Sequence, residues 1–532
     1  MIFRKRSPHK IKKSLAINSE VETDPPADVL SKSVEQNLQK IQETLGNSTD
    51  LIIRKFPYAP AGGRTVAILF TDGLAEGKVV NDYIMESLMQ KEEGDDSDPI
   101  DRESDSSSDI FQTLKDEALT FGDIRDLSNF EALYHSLLSG DAIILIDGES
   151  KGIAASARGW RDRGVGEPAV ENVVRGPREG FSEVLRTNTA LIRRKIKDPR
   201  LWLESKQIGR VTQTDIGIMY IKGIANDKIV EEVHARLDRI DIDAILESGY
   251  IEELIQDETM TPFPTVYNSE RPDVIAAELL EGKVAILVDG TPFVLMVPAP
   301  FVSFMNAAED YYQRADISSF VRLLRYGGAF IALLAPSLYI AITTFHQEML
   351  PTNLLIGLAA QRENVPFPAF IEALMMEVTF EILREAGVRM PKYIGAAVSI
   401  VGTLVIGQAA VEAGIISAAM VIVVSITAIS SFVLPAYNMS IAFRMMRFPF
   451  MGIAASFGLY GIFVGCIALV LHLCSLRTFG VPYMAPLAPL IPSDNKDALF
   501  RFPHSLLLTR PRLTNQKNIK RENSATSRKS QK

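Results

Sequence analysis

The chain reads as an α/β soluble N-terminal region of two related subdomains, followed by an α-helical polytopic membrane domain. Three observations predict this. Charge is dense up to about Arg325 and again after Arg477, and sparse in between. Before residue 291, short β-branched runs ending in Asp-Gly recur between helical patterns. Beyond residue 325, four stretches are apolar for the roughly 20 residues a helix needs to cross about 30 Å of hydrocarbon. A length of 532 residues also exceeds what one core organises, since domains average about 100–200 residues. The net charge of −9 belongs to the soluble parts and gives no sign of nucleic-acid binding.

Residues 1–63 read as a disordered extension. The first thirteen are basic without an apolar run behind them, so they are not a secretory signal. One short helix is expected over about 30–45, before the Pro/Gly cluster of Pro57, Pro60, Gly62 and Gly63. The soluble α/β region covers 64–305, in subdomains of about 64–155 and 156–305. Its strand runs are Val-Ala-Ile-Leu-Phe at 66–70, Ala-Ile-Ile-Leu-Ile at 142–146 and Val-Ala-Ile-Leu-Val at 284–288. They end in Asp72-Gly73, Asp147-Gly148 and Asp289-Gly290, a hairpin signal because Gly accepts the positive φ of a tight turn. Their similarity points to a divergent duplication. A further strand at 216–221 precedes a helix from Asp227 to about Ile240. Interleaved strands and helices predict mixed sheets. Nine acidic residues, five Ser and one Arg fill 92–109, an insertion too polar to offset its ordering entropy.

The membrane domain covers 306–475, with spans at about 326–345, 393–411, 415–434 and 450–472. Residues 326–345 and 448–471 carry no charge, and 393–443 carry only Glu412. Gly290 to Ala308 is also uncharged, but Pro292, Pro298 and Pro300 argue against a straight helix, and a dip into the membrane interface is one reading. Residues 366–384 form an amphipathic or re-entrant helix. Pro366 and Pro368 set its start and are candidate gating residues. Basic clusters on both sides of that helix leave its crossing, and the side of the tail, unsettled. Residues 476–532 form a polar basic tail.

Glu377, Glu381 and Glu385 share one helix side at i, i+4 and i+8. In a homo-oligomer they would form acidic rings, a way of lining cation pores. The alternative is a surface helix with local Glu381–Arg384 and Glu385–Arg389 pairs. Small residues suited to helix packing include Gly395, Gly402 and the pair Gly461 and Gly465, within one chain or between copies. Cys466 and Cys474 lie about 12 Å apart on a helix, too far for a disulfide. The six His residues lack metal-ligand spacing. No Walker loop, nucleophile elbow or CxxC is present, so no cofactor, metal or enzyme is expected. The Gly/Arg run from Arg158 to Gly166 reads as a structural loop.

Longer motifs carry a resemblance. They are Arg158-Gly-Trp160, Glu167-Pro168, Val174-Arg-Gly-Pro-Arg-Glu-Gly-Phe181, Asn188-Thr-Ala-Leu-Ile-Arg193, Ile240-Asp-Ile-Asp243, Pro262-Phe-Pro264, Glu270-Arg-Pro-Asp273, Val288-Asp-Gly-Thr-Pro-Phe293 and Glu309-Asp-Tyr-Tyr312. In the apolar half they are Pro366-Phe-Pro368, Arg384-Glu-Ala-Gly387, the run from Val401 to Gly414, and Val481-Pro-Tyr483. Over most of 140–510 the chain resembles the A subunits of GerA-type spore germinant receptors (the GerA, GerB and GerK A-subunit family), with the sporulation-operon paralogue left open. The resemblance implies a multi-pass protein of the inner membrane of the bacterial spore, with its soluble region cytoplasmic. It implies a transporter-like B partner that binds the nutrient, a lipoprotein C partner, a homo-oligomer, and a nutrient-gated cation path that triggers germination. A scaffold without its own pore and a secondary transporter are the alternatives.

Overall fold

The computed structural model describes residues 28–58, 63–85, 124–159, 166–168, 171, 173–390, 407–513, 518 and 520–521. The acidic insertion 92–109 and most of 393–411 lie outside them.

The soluble region holds two antiparallel five-stranded sheets built alike. The first comprises α1 (Val34–Thr44), β1 (Leu51–Tyr58), β2 (Arg64–Thr71), a short helix α2 (Val79–Met85), β3 (Ile124–Leu127), α3 (Phe130–Leu137), β4 (Asp141–Ile146) and β5 (Gly152–Ser156). The second comprises α4 (Leu185–Lys195), β6 (Leu201–Ile208), β7 (Thr214–Ile221), α5 (Asp227–Asp238), α6 (Ser248–Ile255), β8 (Tyr267–Ser269), α7 (Pro272–Leu280), β9 (Val284–Val288) and β10 (Val294–Val297). Strand orders are β1-β2-β4-β5-β3 and β6-β7-β9-β10-β8, the same path twice. The first unit therefore begins inside the extension expected over 1–63, because β1 pairs with β2 along its whole length.

The repetition reaches single hydrogen bonds. Asp147 Oδ1 accepts from the N–H of Val34 at 3.1 Å, and Asp289 Oδ1 from the N–H of Leu185 at 2.9 Å. Each carboxylate meets an unpaired donor at the first turn of the preceding helix. Gly148 and Gly290, both at φ 91°, donate to the carbonyls of Lys32 and Glu183. The Asn37 side chain brackets the backbone of Ser31 at 2.8 and 2.6 Å, as Asn188 does that of Ser182. Asp147-Gly148 and Asp289-Gly290 lead into hairpins. Asp72-Gly73 does not: it ends β2 and leads into α2, the place Gly223 takes before α5.

All strand pairs among the described residues are antiparallel, not mixed. The unbroken apolar runs arise because both faces of each sheet are covered. In β2, Val66, Ile68 and Phe70 pack toward α2, while Ala67 and Leu69 pack toward α1 and α3. In β7, Met219 and Ile221 face α4 and α7, while Ile216 and Ile218 face α5 and α6. Gly290 to Ala308 does not dip into an interface, because β10 lies inside the second sheet. Arg193 of α4 joins the two units. It is buried against Asp50, and also donates to Ser48 Oγ at 3.2 Å and the Leu201 carbonyl at 3.1 Å.

Short helices α8 (Phe301–Met305) and α9 (Glu309–Tyr312) lead into the helical part: α10 (Ala315–Phe345), α11 (Thr352–Arg362), α12 (Ala369–Arg389), α13 (Gly407–Glu412), α14 (Ala418–Ser431) and α15 (Tyr437–Ser475). Helices α10 and α15 are long and apolar enough to cross a membrane. Helix α14, expected over 415–434, has only 14 residues. The stretch expected as one helix over 450–472 is broken. Gly458 takes φ 59° and ψ −145°, open to Gly and closed to residues with a Cβ. A Cβ there would come within 2.8 Å of His346 Cε1. The two arms of α15 fold back on each other at this turn.

Side-chain contacts order the helix ends. Helix α10 leaves the soluble region, where Arg322 meets Asp310 at 2.9 Å, and its far end at Phe345 meets the Gly458 turn. Helix α12 returns, from Glu372 beside Ser417 to Arg384 beside Tyr437. Gly414 sits back at the far end beside Asn364, and α14 returns from there until Ser430 meets Gly328. The first arm of α15 starts near Phe263, which packs on Phe443, and the second ends where His472 meets Thr261 at 2.9 Å. The tail then packs Phe479, Val481 and Ala485 into the core of the second sheet, so it is not a free polar extension.

Two outcomes are expected for the full-length protein in detergent. Arg193→Met strands the Asp50 charge and lowers the stability of the soluble region by about 3–5 kcal/mol, read as denaturant unfolding by tryptophan fluorescence. Burial pushes the Glu171 and Glu252 carboxyls up from 4.5 to about 7. Their folded form holds protons that the unfolded chain has lost, so stability falls as pH rises from about 5 through 7. Glu171→Gln should flatten that slope in melting curves taken across the range.

Candidate functional site

Charged side chains form a column inside the apolar bundle, where α10, α12 and α15 meet. An ion in such surroundings must be paired, because no water replaces its hydration shell. Arg447 is the centre. It ion-pairs with Glu377, and both side chains are fully buried. Its Nε also donates to the carbonyl of Ala332 at 2.7 Å. Pro336 lies four residues after Ala332 in α10. A proline has no N–H, so it leaves the carbonyl of residue i−4 without its helical donor. The guanidinium of Arg447 supplies the missing hydrogen bond across the helix interface, as a proline in an apolar environment requires.

The rest of the column follows the α12 periodicity. Towards the far end, Glu372 is buried and accepts from Ser417 N and Oγ at 3.1 and 2.9 Å, with Arg362 Nε at 3.4 Å. Towards the soluble region, Arg444 meets the half-buried Glu381 at 2.9 Å, and Arg384 approaches it at 3.4 Å. Arg384 also donates to Tyr437 Oη at 2.7 Å. Glu385 is exposed and pairs with Arg389 at 2.7 Å.

The three carboxylates grouped by spacing therefore have different surroundings. Glu377 and Glu381 turn into the bundle, and Glu385 turns to its surface. Four-residue steps rotate by 400°, so the line drifts around the helix over two steps. Pro368 precedes α12, and its carbonyl accepts from Ile371 and Glu372. Pro366 is exposed in the loop before it. Gly461 and Gly465 lie on the second arm of α15, facing the first. A Cβ on Gly461 would reach Ile453 Cγ2 at 2.7 Å, and one on Gly465 would reach Phe450 at 3.0 Å. Gly395 and Gly402 lie outside the described residues. Arg444, Arg447, Pro336 and Gly458 were not among the residues expected at the site. Two arginines three apart beside an uncharged run, matching two glutamates four apart, were the available signal.

The family model for the Bacillus/Clostridium GerA spore germination protein matches residues 39–513. The chain belongs to the GerA spore germination protein family. Among GerA relatives, spore germination protein KA of Bacillus subtilis strain 168 is 49% identical over 89% of this chain and 85% of its own length. The uncharacterized membrane protein YfkQ of the same organism is 42% identical over 97% of this chain and 98% of its own. Spore germination protein GerLA of Bacillus cereus is 41% identical over 89% and 94%. The solved N-terminal domain of the A subunit of the Bacillus megaterium spore germinant receptor GerK3 is 41% identical, with a TM-score of 0.40, over 52% of this chain and 99% of that one. Membership of the GerA family gives this chain its role in spore germination.

The column makes a coupling prediction. Arg447→Met should destabilise the detergent-solubilised protein by about 3–5 kcal/mol, because Glu377 is left buried and unpaired. Pro336→Ala restores a backbone donor to Ala332. The double variant should therefore lose less stability than the sum of the two single ones, as read from thermal aggregation midpoints.

Proposed function

We propose that this chain is the A subunit of a germinant receptor in the spore inner membrane. It works there with a transporter-like B subunit and a lipoprotein C subunit, and copies of it form a nutrient-gated cation path. One observation carries the reading: carboxylates and guanidiniums are threaded through an otherwise apolar bundle, and ionisable groups at such depth mark ion pathways and coupling elements. The helix directions support a multi-pass arrangement with an even number of passes, because the helical part begins and ends on the soluble region's side. Arg322, Arg325, Arg384, Arg389, Arg444 and Arg477 cluster toward that side, and Arg362 toward the other. Basic residues favour the cytoplasmic face, which makes the soluble region cytoplasmic.

Helix α11 supports an oligomer. None of its residues is buried against the rest of the described chain, and Leu354 and Ile356 are exposed on it. A neighbouring copy would cover that surface and bring the α12 helices around one axis. The exposed Glu385 then lies at the cytoplasmic mouth with Glu381 behind it, while Glu377 holds the subunit together through Arg447. Nutrient bound to the B partner opens the path by favouring the open state over the closed one.

The test is cation flux from liposomes holding the A, B and C subunits, with and without nutrient. Glu385→Gln should lower nutrient-triggered flux several-fold while the complex still assembles, and Glu377→Gln should impair assembly. Wild-type flux in Glu385→Gln and Glu381→Gln alike would favour the scaffold reading.

A further inference from the structure

Two exposed apolar patches lie where the soluble region meets the bundle. The first runs along α10. Ile317, Phe320, Leu323, Leu324, Phe330 and Ile331 are exposed, Phe320 by 62%. Arg322 and Arg325 share this stretch but turn inward, to Asp310 at 2.9 and 2.6 Å, and Arg322 also reaches Asp497 at 2.9 Å. The outward face is thus free of charge from residue 317, nine residues before the span expected from the sequence. The C-terminal strap extends the patch. Ser319 Oγ donates to the carbonyl of Arg501 at 3.0 Å and accepts from its N–H at 3.1 Å. Arg501 is buried, its guanidinium over the Tyr311 ring, while Phe500 and Phe502 on either side of it are exposed. The second is Met260, 89% exposed, six residues after the exposed Leu254 of α6. Its neighbour Thr261 bonds His472 at the end of the last helix, and Phe263 packs on Phe443 and His472.

We infer that these patches are two feet on which the soluble region rests on the bilayer, seated among the lipid headgroups of the cytoplasmic leaflet. One foot is the strap with the first turns of α10, and the other is Met260 with Leu254. The inference rests on the membrane reading above. Length supports it. Residues 317–345 rise about 43 Å, which matches the roughly 40–45 Å of a bilayer with its headgroups and exceeds the hydrocarbon alone. The turns before residue 326 then lie in the headgroup layer, and the strap bound at Ser319 lies level with them. The stripe also continues without a polar rim into Phe330 and Ile331, which the bundle turns toward lipid. A protein partner's interface would have such a rim. Exposed Arg477, directly after the last helix, suits anionic headgroups.

The test uses the full chain with Cys466→Ser and Cys474→Ser, reconstituted in phosphatidylcholine/phosphatidylglycerol nanodiscs. Single cysteines at Phe500, Met260, the exposed Phe463 on the second arm of α15 and the exposed Gln39 of α1 carry an environment-sensitive fluorophore, and doxyl groups sit at a shallow or a deep acyl carbon. Labels at Phe500→Cys and Met260→Cys should be quenched at least twofold more by the shallow doxyl than by the deep one. Phe463→Cys should show the reverse, and Gln39→Cys neither. Phe502→Cys and Phe320→Cys repeat the measurement should a first variant misfold. Unquenched feet beside a quenched Phe463 label would overturn the inference and assign the patches to a protein partner. An unquenched Phe463 label would overturn the membrane reading, and the feet with it.

Discussion

The helical half of this protein depends on one guanidinium. Arg447 cancels the charge of Glu377 and completes the hydrogen bonding of α10 at Pro336, and it does both from a third helix. In water each task would be trivial, because solvent would do it. Inside an apolar bundle each group left alone costs several kcal/mol, so the three helices are bound to one mutual position. Arg444 with Glu381, and Ser417 with Glu372, extend the same constraint along α12.

The soluble half is organised by duplication rather than by charge. Two copies of one antiparallel unit each cover both faces of a sheet, which makes their central strands as apolar as those of a parallel sheet. The equivalent carboxylates Asp147 and Asp289 hold the helix that opens each copy. Arg193 then closes the pair with a buried contact of the kind Arg447 makes in the bundle. The tail crosses back from the last helix to fill the second core, so the two halves are tied together at both ends of the helical part.

Much of this was legible beforehand. The change in charge density at about Arg325 marked the start of the bundle, and the repeated apolar runs with Asp-Gly marked both hairpins and the duplication. The motifs from Arg158 to Tyr483 pointed to the family that the wider match establishes. The sheet type was misread because the interleaving of strands and helices, from which mixed sheets were expected, is silent on strand direction. The turn at Gly458 was hidden because Gly452, Gly461 and Gly465 share the same apolar run and stay helical, so nothing in the run sets Gly458 apart. Only the approach of His346 and Phe345 shows why a side chain does not fit there.

What the sequence by itself determined is local and compositional: which stretches avoid water, where strands turn, which faces of α12 carry charge, and which family shares the motifs. The tertiary structure alone decided the pairings. Glutamates grouped by four-residue spacing were separated because neighbouring helices differ around them, so that Glu377 and Glu381 gained arginines some 60–70 residues away and Glu385 did not. The physical reason is that periodicity reports which side of a helix a residue occupies. Whether that side meets an arginine, lipid or solvent depends on how elements distant in the chain pack against it.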